Sequence, residues 1–149
     1  MKSGTRALGI AESTNEDSGR CTFCGAVVRA DRVVDGFAFA TATVGGRDAT
    51  DAVCRLLDRL DRADVRYLLV SGIAPAWFNV LDLPRIAERA ERPVISVSYE
   101  ESPGLESALR EAFDGDALDS RLAVYERLPP RRRVSVNGET LFVRSVGLD

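Results

Sequence analysis

The chain has 149 residues, 45% of them apolar and 29% charged, with a net charge of −3 at pH 7. That size and composition fit one domain, residues 1–149, and exclude a bilayer-spanning helix, because no run approaches the roughly 20 apolar residues one needs. There is no histidine, which removes Ser-His-Asp and Cys-His catalysis and His-ligated zinc, so any hydrolysis here must run on carboxylates and a hard metal.

Met1-Lys2-Ser3-Gly4 leads into a strand without an apolar signal region, so the cytoplasm is the expected location, with no membrane partner. Arg6-Ala-Leu-Gly-Ile10 is a short apolar run, strand one, ending at Ala11-Glu12-Ser13, and Thr14 to Arg20 reads as a polar loop. Cys24 to Ala30 and Val33 to Thr43 are β-rich runs either side of Asp31-Arg32, which predicts a meander of three antiparallel strands. From Asp48 the period changes, and Val53, Leu56, Leu57 and Leu60 fall on one helical face. Tyr67 to Val70 is a continuous apolar run ending at Ser71-Gly72, as in a strand buried on both faces and parallel to strand one.

A helix is predicted near Leu83 to Arg89, and a strand over Pro93 to Tyr99. Ser102 reads as an N-cap with Pro103 at the first helical position, and a second helical stretch follows Gly115. Arg133 to Val143 carries Asn137-Gly138 between two alternating runs, a hairpin signal. The order predicts a ribonuclease-H-like α/β fold: a mixed sheet with a three-strand antiparallel meander, then βα units, then a C-terminal β-hairpin.

In a fold of that order, polar residues at converging strand ends are the candidates for chemistry. Glu12 follows strand one, Asp48 and Asp51 open the first helix, and Ser71 ends the central strand. Carboxylates gathered there can hold Mg²⁺ or Mn²⁺ and polarise a phosphodiester. Asp48-Ala-Thr-Asp51 is equally a good helix start, one acid capping and the other favourable to the helix dipole. Trp77 and Phe78, just past a strand end, either stack on a base or pack into the core, and Asn79 could hydrogen-bond a base edge. Arg131-Arg132-Arg133 could touch phosphates. Cys21-Thr-Phe-Cys24 has CxxC spacing, but no second pair completes a zinc site and no helix follows as in a thioredoxin motif.

Five separated segments in order carry a resemblance: Arg6 to Ser13, Val33 to Phe37, Val44 to Asp51, Ser71 to Asp82, and Arg92 to Ser98. Together they resemble the archaeal endonuclease dU family, most strongly its haloarchaeal branch, over essentially the whole chain. The resemblance implies a fold related to endonuclease V and a DNA-repair enzyme that cleaves DNA at deoxyuridine, the product of cytosine deamination. By topology it implies Glu12 in place of a strand-one aspartate, Asp48 as the acid before helix one, and Ser71 in place of the aspartate ending the central strand. Glu12 and Asp48 are then the metal ligands with Asp51 assisting, and Ser71, Gly72, Pro75, Trp77, Phe78 and Asn79 meet the substrate, deoxyuridine-containing DNA. A homodimer is left open. Ser71 departs from the pattern, since a serine replaces a ligand carboxylate poorly, and family members are expected to run on past Asp149 into a closing helical segment. The competing readings are a catalytically inactive nucleic-acid- or partner-binding module on the same fold, and a nuclease acting on RNA.

Overall fold

The computed structural model describes residues 1–148. Three antiparallel strands open the chain: β1 (Arg6–Asn15), β2 (Arg20–Arg29) and β3 (Val34–Thr43). Helix α1 (Ala49–Leu60) crosses to β4 (Val65–Ser71), which pairs parallel to β1, and after a single turn α2 (Pro75–Phe78), α3 (Leu83–Ala90) crosses to β5 (Val94–Ser98), parallel to β4. Helices α4 (Glu106–Ala112) and α5 (Gly115–Glu126) precede the hairpin of β6 (Arg132–Val136) and β7 (Glu139–Val146), and β7 pairs antiparallel with β5. One seven-stranded mixed sheet results, in the order β3-β2-β1-β4-β5-β7-β6. This is the predicted architecture.

Strand alternation decides the core. Leu8, Ile10, Phe23, Val27, Leu68 and Val70 point to one face, where they meet Val53 and Leu56 of α1 and Leu83 and Ile86 of α3. The other face carries half-buried Ala7, Gly9, Ala26, Tyr67, Leu69 and Ile95. At the hairpin tip Asn137 (φ 51°) and Gly138 (φ 80°) both adopt the left-handed backbone that a two-residue turn needs, as their sequence signals. No helix among the described residues is long and apolar enough to cross a membrane.

Two local expectations are corrected. Thr14 to Arg20 is not a loop: β1 and β2 stay paired out to Asn15 and Arg20, leaving only a tight turn. The pairing satisfies backbone groups that a polar run would otherwise leave to water, so Glu12 sits inside a strand. Ser102 does not cap α4. Its Oγ accepts from the Gly104 amide, Gly104 takes φ 112°, and the Tyr125 hydroxyl accepts from the Leu105 amide, so the helix begins only at Glu106.

Leu56 is fully buried between α1 and the sheet. Leu56→Ala is expected to destabilise the domain by about 2–5 kcal/mol in thermal or urea unfolding, because the cavity adds to the lost transfer energy.

Candidate active site

Glu12 shares the helical-layer face of β1 with Leu8 and Ile10, but lies far enough along the strand to reach solvent. Its Oε2 accepts from the Thr14 hydroxyl at 2.9 Å, the Cys21 thiol at 3.1 Å and the Ala76 amide at 3.0 Å. Oε1 has no hydrogen-bond partner among the described residues. Cys21 faces Thr14 across the β1–β2 ladder. Burial, then the bond to Glu12, push its thiol up to about 11, with the charges of Glu12 and Asp48 adding. It is therefore a protonated donor at neutral pH, and both carboxylates lie close enough to act on it.

Asp48 stands at the start of α1, yet its carboxylate does not cap the helix. Oδ1 accepts from the Thr43 amide at 3.0 Å and the Asn79 side-chain amide at 2.9 Å, and Oδ2 from the Thr43 hydroxyl at 2.9 Å. Burial alone would raise this carboxyl, but the Thr43 amide, the Asn79 amide and the Thr43 hydroxyl outweigh it and hold the group below its ordinary value. Asp48 is therefore ionised at neutral pH. The cap is delegated to Asn79, whose Oδ1 accepts from the Ala49 amide at 2.9 Å.

Asn79 is fully buried, and its Nδ2 also donates to the Thr43 carbonyl at 2.9 Å. With its amide spent on Ala49, Thr43 and Asp48, it has no edge free to read a base in this arrangement. Asp51 is likewise not brought to the pair: it is exposed and bonds Arg85 of α3 at 2.6 Å. Ser71 is exposed and in step with Tyr67 and Leu69, so alternation places it on the opposite sheet face from Glu12.

Between the two carboxylates runs the Pro75–Phe78 turn. Pro75 is buried, and Ala76 (φ 52°), Trp77 (φ 55°) and Phe78 (φ 62°) are successive left-handed residues, none of them glycine. Each costs about 1–2 kcal/mol, and such strain persists only where surroundings over-determine it. Here the Ala76 amide binds Glu12, its carbonyl accepts from the Gly45 amide at 2.6 Å, and the Phe78 carbonyl accepts from Arg121 at 3.0 Å. Phe78 packs into a small cluster with Phe113, whereas Trp77 stays 56% exposed beside both rings, at 5.3 Å from Phe78 and 5.2 Å from Phe113. The two aromatics thus divide the alternatives: Phe78 is packed and Trp77 is presented.

Sequence reasoning missed Cys21, Thr43, Ala76 and Arg121. The CxxC spacing misdirected attention, because three residues along a strand put Cys21 and Cys24 on opposite faces, one buried and one half-buried. Thr43 had a usable signal, a hydroxyl five residues before the acid at a strand end.

A family model described as endonuclease dU matches residues 3–149. The chain belongs to the endonuclease dU family. Among curated relatives, a UPF0215 protein of Pyrobaculum calidifontis is 33% identical over 144 residues, covering 95% of this chain and 78% of its own. A solved structure from Archaeoglobus fulgidus, of a protein of unknown function, superposes with a TM-score of 0.82 at 24% identity, over 97% of this chain and 79% of its own. Human ENDOV superposes with a TM-score of 0.59 at 13% identity, over 94% of this chain and 68% of its own, which places the endonuclease dU chain in the ribonuclease-H-like fold.

The site yields two stability predictions. A carboxyl depressed in the folded state contributes stability that is fully present above the ordinary aspartate value of 3.8 and is lost as pH falls through the lower folded value. Acid unfolding of wild type should therefore carry a component below that value that Asp48→Asn lacks. Ala76→Gly should leave the melting temperature unchanged or raise it, since glycine accepts the left-handed backbone, whereas Ala52→Gly inside α1 should cost about 1 kcal/mol.

Proposed function

We propose that this chain is a DNA-repair endonuclease that cleaves DNA at deoxyuridine by metal-assisted phosphodiester hydrolysis. The carrying observation is the pair Glu12 and Asp48, anchored by one turn through the Ala76 amide and the Asn79 side chain at the carboxyl end of the sheet. The family description supports the substrate.

The donor set fits a single hard cation. Glu12 and Asp48 both act on the Cys21 thiol, Asp48 is held ionised, and Glu12 keeps Oε1 unengaged among the described residues. No group of three acidic, cysteine or histidine side chains gathers to hold an ion among the described residues, and Mg²⁺ is commonly held by one or two carboxylates with water and substrate phosphate. Glu12 and Asp48 would hold Mg²⁺ or Mn²⁺, which would supply Lewis-acid polarisation of the scissile phosphodiester. The fixed donors on Glu12 Oε2 and on both Asp48 oxygens hold these carboxylates in place before substrate arrives, so little reorganisation is left to the reaction. Trp77, exposed beside Phe78 and Phe113, offers an indole face for a base of the bound strand.

A second reading, a binding module without catalysis, draws on Ser71 facing away and Asp51 being tied to Arg85. Matched duplexes carrying one uracil or one thymine, incubated with Mg²⁺ or EDTA, separate the two. The expected result is metal-dependent cutting of the uracil strand that falls about a hundredfold or more in Glu12→Gln. Binding of the uracil duplex with no cutting under any metal would establish the module instead.

A further inference from the structure

The sheet has a second face that the carboxylate site does not use. The register puts Phe37 opposite Ala26, Ala26 opposite Gly9, Gly9 opposite Leu69 and Leu69 opposite Ile95, one apolar row across β3, β2, β1, β4 and β5. Phe39, Cys24 and Ala11 form the row beside it. These residues are half-buried or exposed, because α1, α3 and α5 lie against the opposite face, where Val53, Ile86 and Tyr125 meet the core. Parallel strands are ordinarily covered on both faces, and the apolar run of β4 is written for that, yet Tyr67 and Leu69 are only half-buried. An apolar sheet face is buried against a further layer.

Shape, charge and area agree on what that layer is. The rings of Phe37 (62% exposed) and Phe39 (53% exposed) stand as a ridge beside a trough of small residues, Ala26, Gly9 and Ala11, and a side-chain carbon built on Gly9 would meet nothing within 4 Å. The trough opens into a groove of about 720 Å³ lined by Ala7, Tyr67, Leu69 and Ile95. A ridge beside a trough is self-complementary, since a two-fold axis puts each copy's ridge in the other's trough. At the groove's end Arg6 is paired with Asp35 and Asp64, and Arg29 with Asp31, so these cations are not free for a nucleic-acid backbone. The edge of β3 is blunted too: Arg62, Arg59 and Arg55 donate to the carbonyls of Asp35, Phe39 and Thr41, which opposes strand addition and leaves the face. From β3 to β7 the face spans six strands about 4.8 Å apart and about six residues long, a footprint on the order of 550 Å² per copy; the total of about 1,100 Å² exceeds the roughly 1,000 Å² that a specific interface needs.

We propose that this face is the interface of a homodimer, in which a two-fold axis seats Phe37 and Phe39 of each copy in the Gly9 trough of the other. Glu12 lies on the helical-layer face, so both carboxylate sites stay on the outside of the pair. The interface stands apart from the reaction and does not rest on it.

The test combines sedimentation velocity over a range of protein concentrations with maleimide labelling of Cys24. That thiol reports the interface directly, being half-buried on this face while Cys21 and Cys54 are buried. Wild type is expected to sediment as a dimer, with Cys24 labelled about tenfold or more slower than in the double variant Phe37→Glu, Phe39→Glu, because only the free monomer reacts. That variant should sediment as a monomer with its far-ultraviolet circular dichroism unchanged. Gly9→Val, which fills the trough where a single copy has room, should do the same without adding charge. Arg59→Ala, which bares part of the β3 edge, should leave the dimer intact. A wild-type chain that stays monomeric, whether free or floating with phosphatidylglycerol vesicles, overturns the proposal. So does a dimer that survives both face variants, that depends on Arg59 instead, or that leaves Cys24 reacting at the monomer rate.

Discussion

The buried amide of Asn79 is the constraint on which the site depends. It reaches three partners at once: the end of β3 through Thr43, the start of α1 through Ala49, and the Asp48 carboxylate. An unsatisfied amide at zero exposure would cost about 1–3 kcal/mol, so β3, α1 and the Asp48 carboxylate are held to one geometry. Because Asn79 supplies the helix cap, Asp48 is released from that role and its carboxylate accepts from Thr43 and from Asn79 itself. The three strained residues before Asn79 are tolerated for the same reason: their ends are tied down, so the chain has no relaxed alternative that keeps these bonds.

Arg121 fastens the same turn from the other side. Its guanidinium is buried in α5 and donates to the carbonyls of Gly45, Gly46 and Phe78 as well as to Ala117 in its own helix. Buried charges are ordinarily paired; this one meets neutral carbonyls and lies over the Phe113 ring at 3.8 Å. Burial, then the like charge of Arg47, lower it from the ordinary arginine value. It joins the segment before Asp48 to the segment before Asn79, so α5, remote in sequence, sets the spacing between the loops that carry the site.

Legibility in the sequence followed the range of the interactions. The helical stripe of Val53, Leu56 and Leu60, the apolar run of β4 and the Asn137-Gly138 turn are local signals, and the fold they predict is the one observed. Asp48 was legible as an acid at a helix start, and Glu12 as an acid on strand one, although that strand runs on past it to Asn15. What was hidden was the direction of side chains. Asn79 resembles a base reader only until its burial is known, Asp51 resembles a ligand until Arg85 is brought beside it, and Ser71 sits on the wrong face by a single step of strand alternation. Each depends on partners 30 or more residues away or on a register that composition does not encode. Arg121 had no signal, since a buried arginine bonded to carbonyls looks in sequence like any polar position on a helix.

The strained turn also explains how one short segment can serve two surfaces. Left-handed backbone from Ala76 to Phe78 reverses the usual sense of side chains and amides, so that the Ala76 amide points to Glu12 while the next residue's indole is thrust outward beside Gly45. A right-handed turn would aim these groups differently, and either the carboxylate would lose its donor or the aromatic would fold under. Upstream, the Leu81 amide donates to the Ile73 carbonyl at 2.7 Å, closing the loop at its base. The segment thereby reaches Glu12 through the Ala76 amide and Asp48 through the Asn79 side chain. Its strain is sustained by bonds to β1, the β3–α1 loop and α5 together, so that no single element of the fold makes the site alone.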